Sequence, residues 1–303
     1  MNRLGKILAA IDFSPCSADA FRQACRIADW NRAELHAIHV LNIPAVGPAE
    51  YPFLPIPAPP REELEHAARR NWEGFVSDSP AKARAQFHLV IGSPRAEILS
   101  AVESLKPDLL VIGATSVLDR KRGIGSTAAA CVRRADCKVL VVREQQPPGF
   151  RNIAAFLDFS ATSREALEQA VRICAQDGAS LHLVHLYPDP WHGMYRPEVV
   201  AQNMPDFEAR MRQAVERRMA EFAAPLAREL QSLKARYHAV QHDEHWNGQA
   251  DGIGKFISEQ GIDLAVLGVR STWNARDFFM GTTAQRVCRD AACSILTVRP
   301  VEA

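Results

Sequence analysis

The sequence predicts an α/β protein of two tandem doubly wound domains, each a five-stranded parallel sheet with helices on both faces. Three observations predict it. First, the chain repeats itself: Ile11-Asp12-Phe13-Ser14 returns as Leu157-Asp158-Phe159-Ser160, 146 positions later. The frame persists through Ala20/Ala166, Gln23/Gln169, His36/His182 and His39/His185, and has lengthened to 155 by Gly113/Gly268 and 156 by Gly125/Gly281. Second, apolar runs of strand length alternate with helical periodicity in each copy, the pattern of a parallel sheet buried on both faces. Third, each copy ends on an Asp-headed apolar run, a glycine segment and a helix. These are Asp108–Ile112 before Gly113 to Thr127, and Asp263–Leu267 before Gly268 to Thr283. The domains expected are residues 1–146 and 150–303, with Gln145–Gly149 as the joint.

In order, Ile7–Ile11 and Ile153–Leu157 are first strands, each stopped by an aspartate. A helix follows from about Ala18 to Asp29, its stripe carried by Phe21, Ala24, Cys25 and Ala28. Glu34–Leu41 and Ser180–Leu186 are rich in β-formers and read as second strands. Charged helices come next, Arg61–Ser77 and Pro205–Leu233. Third strands (Ala85–Ile91; Tyr237–Gln241) lead to short helices (Ala96–Leu105; Ala250–Glu259). The fourth and fifth strands flank each glycine segment, the fifth being Val139–Val142 and Ile295–Val298. Ligands of such sheets sit beyond the carboxyl ends of the strands where strand order reverses. Asp12, the residues after His39, and Gly113 all lie at such ends. A strand ending in Gly, followed by Gly-Ser/Thr opening a helix, offers bare backbone N–H groups to an anion.

Composition excludes several classes of function. Lys+Arg number 36 and Asp+Glu 35, which argues against a nucleic-acid or membrane partner held by bulk charge. No apolar run is long enough to span a bilayer. The run Ile7–Ile11 is too short for a signal-peptide core and recurs internally at Ile153–Leu157, so a cytoplasmic location is expected. Seven cysteines without a Cys-x-x-Cys read as reduced, buried thiols. No Gly-x4-Gly-Lys-Ser/Thr occurs, and Gly254-Lys255 lacks both the upstream Gly and the hydroxyl, so phosphoryl transfer has no visible machinery and no catalytic residue is assigned.

In these residues the chain resembles the universal stress protein family in its tandem two-domain form. The resemblance rests on the two Asp-Phe-Ser strand ends, on His39-Val40 and His185-Leu186, on Gly92-Ser-Pro94 before a helix, and on the two glycine segments. It implies strand order 3-2-1-4-5, and binding of ATP or AMP in stress survival without a defined reaction. Nucleotide-binding members carry Gly-x2-Gly-x9-Gly-Ser/Thr after the fourth strand. By position, Asp158 and Leu186 would hold adenine and ribose, with Gly268, Ser271, Gly281, Thr282 and Thr283 around the phosphates. The first-half counterparts are Asp12, Val40, Gly113, Ser116, Gly125, Ser126 and Thr127. Both halves depart from the motif, with Ser116 and Ser271 where its second glycine stands. The first half is also one residue short, so spacing favours the second copy, while Lys121 and Arg122 favour the first.

Three readings stay open on the sequence alone. One is an adenine-nucleotide-binding protein whose output is a conformational or partner-binding change. Another is an interaction module with empty sites. The third is an enzyme, either a weak ATPase or a zinc-dependent activity using His238, His242 and His245 beside Asp243 and Glu244. The proline-rich stretch 44–60, seven of whose seventeen residues are proline, reads as a stiff surface connection, a lid or a partner-binding segment. Pairing of the two halves through their fifth strands is expected, because an uncovered last strand is an open edge. One chain would then imitate a homodimer, and a true homodimer is open.

Overall fold

The computed structural model describes residues 4–42, 60–77, 84–115, 123–145, 147–188, 206–242, 248–269 and 282–299. The chain divides into two compact units, Asn2–Pro148 and Gly149–Ala303. The stretch 44–59, the loop residues 116–122 and 270–281, and His245 lie outside the described residues.

The first unit runs β1 (Lys6–Ile11), α1 (Pro15–Asn31), β2 (Glu34–Leu41), α2 (Arg61–Val76), β3 (Gln86–Ile91), α3 (Pro94–Leu105), β4 (Leu109–Gly113), α4 (Ser126–Arg134) and β5 (Lys138–Val142). Its strands are all parallel and ordered β3-β2-β1-β4-β5. The second unit runs β6 (Asn152–Phe156), α5 (Ala161–Asp177), β7 (Ser180–Pro188), α6 (Phe207–Ala223), a 3-10 turn (Ala224–Leu226), α7 (Ala227–Ser232), β8 (Arg236–His242), α8 (Gly248–Glu259), β9 (Leu264–Gly268), α9 (Thr282–Asp290) and β10 (Ser294–Val298). Its order is the equivalent β8-β7-β6-β9-β10, again parallel throughout.

Two expected boundaries differ, each for a local reason. The first helix begins at Pro15 rather than Ala18, because Ser14 caps it, accepting from Ser17 N at 3.1 Å, and Pro15 needs no N–H at the first helical position. Ser160 caps α5 in the same way, accepting from Ser163 N at 3.1 Å. The single helix expected over Pro205–Leu233 is broken after Ala223, where Pro225 lacks the donor an α-helix requires.

The aspartate heading each fourth strand has a structural role that its position in the repeat foreshadowed. Asp108 Oδ2 accepts from Gly5 N and Lys6 N at 2.7 and 2.9 Å, while Asp263 accepts from Arg151 N and Asn152 N at 2.7 and 3.0 Å. Each carboxylate thereby satisfies the first donors of the neighbouring first strand, which no ladder partner reaches. The cores are apolar on both faces of the central strands: Ile7, Leu8 and Leu110 are fully buried in one unit, Ile153, Leu181 and Leu183 nearly so in the other.

Candidate functional site

At the carboxyl ends of β1, β2 and β4 the first unit opens a cavity of about 680 Å³, within the range of small-molecule sites. Its walls include Asp12, Val40, Gly113, Gly125, Ser126 and Thr127, six of the seven first-half positions singled out by motif. The seventh, Ser116, lies outside the described residues, as do Lys121 and Arg122. Elements far apart in sequence supply each member. Asp12 follows the last residue of β1, its Oδ1 accepting from Ser14 N at 3.0 Å and its own N–H donating to Ser17 Oγ at 3.3 Å. Val40 lies near the end of β2, and Gly113 ends β4. Gly125 is pulled back to the sheet by its N–H donating to Ala114 O at 2.7 Å, which brings the amino end of α4, with Ser126 and Thr127, to the cavity wall. The apolar wall is Ile38, Ile98 and Ile112.

Reading the sequence by motif missed Arg95. It lies in the first turn of α3, lines the same cavity, is exposed and enters no ion pair among the described residues. A usable signal was present: a cation in a helix's first turn opposes the helix dipole, so its placement calls for another reason. Asp12 and Arg95 are the two charged side chains among the described cavity residues. A carboxylate at one strand end, a helix amino terminus and an exposed guanidinium suit a ligand with both hydrogen-bond donors and an anionic group.

The sequence model of the Universal stress protein family matches residues 4–143 and, a second time, residues 149–299. The chain belongs to the universal stress protein family. It is 29% identical over 136 residues to universal stress protein A homolog 1 of Coxiella burnetii, a match covering 45% of this chain and 94% of that one. A universal stress protein of Methanocaldococcus jannaschii is 32% identical over 148 residues, covering 47% of this chain and 84% of the relative. The crystal structure of a universal stress protein from Archaeoglobus fulgidus shares the fold with a TM-score of 0.64 at 16% identity, covering 98% of this chain and 97% of that one.

The second universal stress protein domain builds the same frame from different side chains. Asp158 Oδ1 accepts from Ser160 N at 2.9 Å, matching Asp12. Leu186, the counterpart of Val40, is buried, and its Cδ2 lies 2.6 Å from where a Cβ on Gly252 would stand. Spacing favoured this copy, but its α8 has no arginine. Buried Ile98 and Val102 of α3 correspond to buried Ile253 and Ile257, and left-handed Lys106 to left-handed Gly261, so Arg95 corresponds to Ala250. Thr283 Oγ1 lies 3.4 Å from Gln249 Oε1, the residue in the place of Pro94. Thr282 opens α9, while Ser271 and Gly281 lie outside the described residues.

Of the histidines in the metal reading, His238 is committed to a histidine outside it, His182. His182 Nδ1 and His238 Nε2 are 3.0 Å apart with stacked rings, and His36 Nδ1 and His88 Nε2 repeat the contact at 3.0 Å in the first domain. Each pair holds a single proton between its rings. His242 is buried at the end of β8, and no group of three or more metal-binding side chains occurs among the described residues. Phe256 of α8 stands edge-on to both rings of the second pair.

This pairing gives the second domain a defined pH response. Burial first, then His238 and Arg236, hold His182 down to about 4 from the ordinary 6.5; burial and then Arg236 also lower His238. As the pH falls the unfolded chain takes up protons first. Stabilisation from the neutral ring is therefore complete above about pH 6.5 and is lost progressively down to about pH 4. Urea midpoints of the second domain's transition at pH 7.5 and 4.5 should diverge far less in the His182→Phe/His238→Phe double variant than in the native protein. An equal divergence would show that the pair does not set the response.

All seven cysteines are free and buried. Burial pushes the Cys131 and Cys174 thiols up to about 12, so both stay protonated and unreactive at neutral pH. No helix among the described residues is long and apolar enough to cross a membrane.

Proposed function

We propose that this universal stress protein binds an adenine nucleotide, ATP or AMP, in its first domain and acts through a change of conformation or partner, in the cytoplasm. The observation that carries the reading is the meeting, in one cavity of nucleotide size, of Asp12, Gly113 and the amino end of α4 with Arg95, which forms no ion pair among the described residues. Asp12 serves as acceptor for ribose hydroxyls, Val40 and Ile38 flank the base, and Ser126, Thr127 and Arg95 meet the phosphates. In the second domain Ala250 stands in place of the arginine, and Thr283 is near Gln249 rather than open. The first domain is accordingly the principal site. Seven buried, free thiols support a reducing compartment.

Isothermal titration calorimetry of the full chain with ATP, ADP and AMP tests this directly. One nucleotide per chain is expected, with binding abolished by Asp12→Ala and retained by Asp158→Ala. Absence of heat for all three at millimolar concentration, with no nucleotide released on denaturing the purified protein, would overturn it in favour of an interaction module.

A further inference from the structure

We propose that His39 is a positioning residue for the first-domain cavity: its imidazole N–H holds the strained turn that presents Asp12, while its ring packs against Phe13. The proposal rests on the nucleotide reading for its ligand, but its geometry stands independently. Ile11 and His39 are register partners at the end of the β1–β2 ladder. There the His39 side chain takes over from the backbone, with Nδ1 2.9 Å from Ile11 O. Since a carbonyl can only accept, Nδ1 carries the proton.

Two residues on, Phe13 adopts φ 61°, in the left-handed region. A non-glycine residue there is sterically strained, and an aromatic one persists only where its surroundings hold it. The His39 ring lies 4.5 Å from the Phe13 ring, and Phe75 of α2 meets Phe13 edge-on at 5.5 Å. The turn is thus held at one end by a hydrogen bond on the carbonyl before Asp12 and contacted at the other by rings on the side chain after it. Between those anchors Asp12 has Oδ1 fixed on Ser14 N and its N–H on Ser17 Oγ, so its carboxylate meets the cavity in one orientation. Val40, the next residue of β2, lines the same cavity from the opposite face of the strand.

The second domain repeats the device with an equivalent neighbour. His185 Nδ1 is 2.7 Å from Leu157 O, Phe159 has φ 61°, and the two rings are 4.3 Å apart. Here the outer contact is Phe222 at 5.6 Å, with the Arg218 guanidinium 5.7 Å from the Phe159 ring. The bond, the positive φ, the ring contact and the edge-on phenylalanine from the equivalent helix recur together, so the device is repeated as a unit.

The test separates positioning from packing. His39→Phe keeps a ring over Phe13 and removes the donor; His39→Asn keeps a donor near the Nδ1 position and removes most of the ring. Calorimetry with AMP on folded full-length protein should give a dissociation constant raised at least tenfold in His39→Phe, recovered to within threefold in His39→Asn, and unmoved in His185→Phe. Equal affinities throughout, or a His39→Asn variant as weak as His39→Phe, would overturn the proposal. Should the native chain bind no AMP, the nucleotide reading fails and amide exchange judges the turn. Exchange at Ser14 and Ser17 should quicken at least tenfold in His39→Phe relative to core amides of β4, and unchanged exchange overturns the proposal. If His39→Phe does not fold, nitrogen-15 shifts of the native ring decide: Nδ1 must be the protonated nitrogen, and an Nε2–H tautomer refutes it.

Discussion

Gly268→Ala is expected to destabilise the second domain by about 2 kcal/mol, as overpacking does, and by more than Gly113→Ala destabilises the first. A Cβ at Gly268 would stand 2.9 Å from Ser163 N, 3.1 Å from Thr162 C and 3.2 Å from Ser163 Cα. All three are backbone atoms of the first turn of α5, and Ser163 N is itself the donor to the Ser160 cap. Relief therefore requires moving the helix start and stretching a cap worth about 1 kcal/mol. At Gly113 the nearest atom is the Cys16 side-chain sulfur at 3.2 Å, with backbone at 3.3 Å, so a small shift accommodates the methyl group. Urea unfolding of both variants gives the comparison, and equal or reversed losses would refute this account. The glycine that ends the fourth strand in each copy thus serves close strand-to-helix approach, whatever the loop after it binds.

The second large effect concerns ligand rather than stability. Arg95→Ala should weaken ATP binding by about 10- to 100-fold, the loss expected for a charge-assisted hydrogen bond to phosphate. The melting temperature should hardly change, because Arg95 is exposed and enters no ion pair among the described residues. Adenosine, lacking the phosphates, should bind Arg95→Ala and the native chain equally. Arg95→Lys should recover part of the ATP affinity, with steeper salt dependence, since a point charge replaces a planar fork. An equal loss for adenosine would place Arg95 on the base or in the fold rather than on the phosphates.

Much of this molecule is legible in its chain. The two Asp-Phe-Ser strand ends, the serine caps and the strand-length apolar runs each act over a few residues, and local spacing reports local geometry. Their recurrence in a matched frame carries the fold to two tandem universal stress protein domains. The converging positions Asp12, Val40, Gly113 and Gly125 were also readable, because strand ends of a doubly wound sheet meet at one edge by topology alone. Arg95 escaped the motif reading because Gly92-Ser-Pro94 reads as a helix leader, and nothing in sequence says that α3 packs beside β2 and α4. The histidine partnerships escaped for a similar reason. His36 and His88 are separated by 52 residues and meet only across paired strands.

Spacing and side chains rank the two copies differently. Counting residues between glycines favoured the second, yet the cation facing the cavity belongs to the first, and Ala250 stands in its place in the second. By itself, then, the sequence determined the fold, its duplication and the edge of the sheet where ligands would gather, since these follow from periodicity and from patterns a few residues long. Only the tertiary structure decided which side chains stand at that edge, why Gly268 resists a side chain more than Gly113 does, and which histidines pair. Those depend on distances between strands and helices that are remote along the chain and brought within a few ångströms by packing.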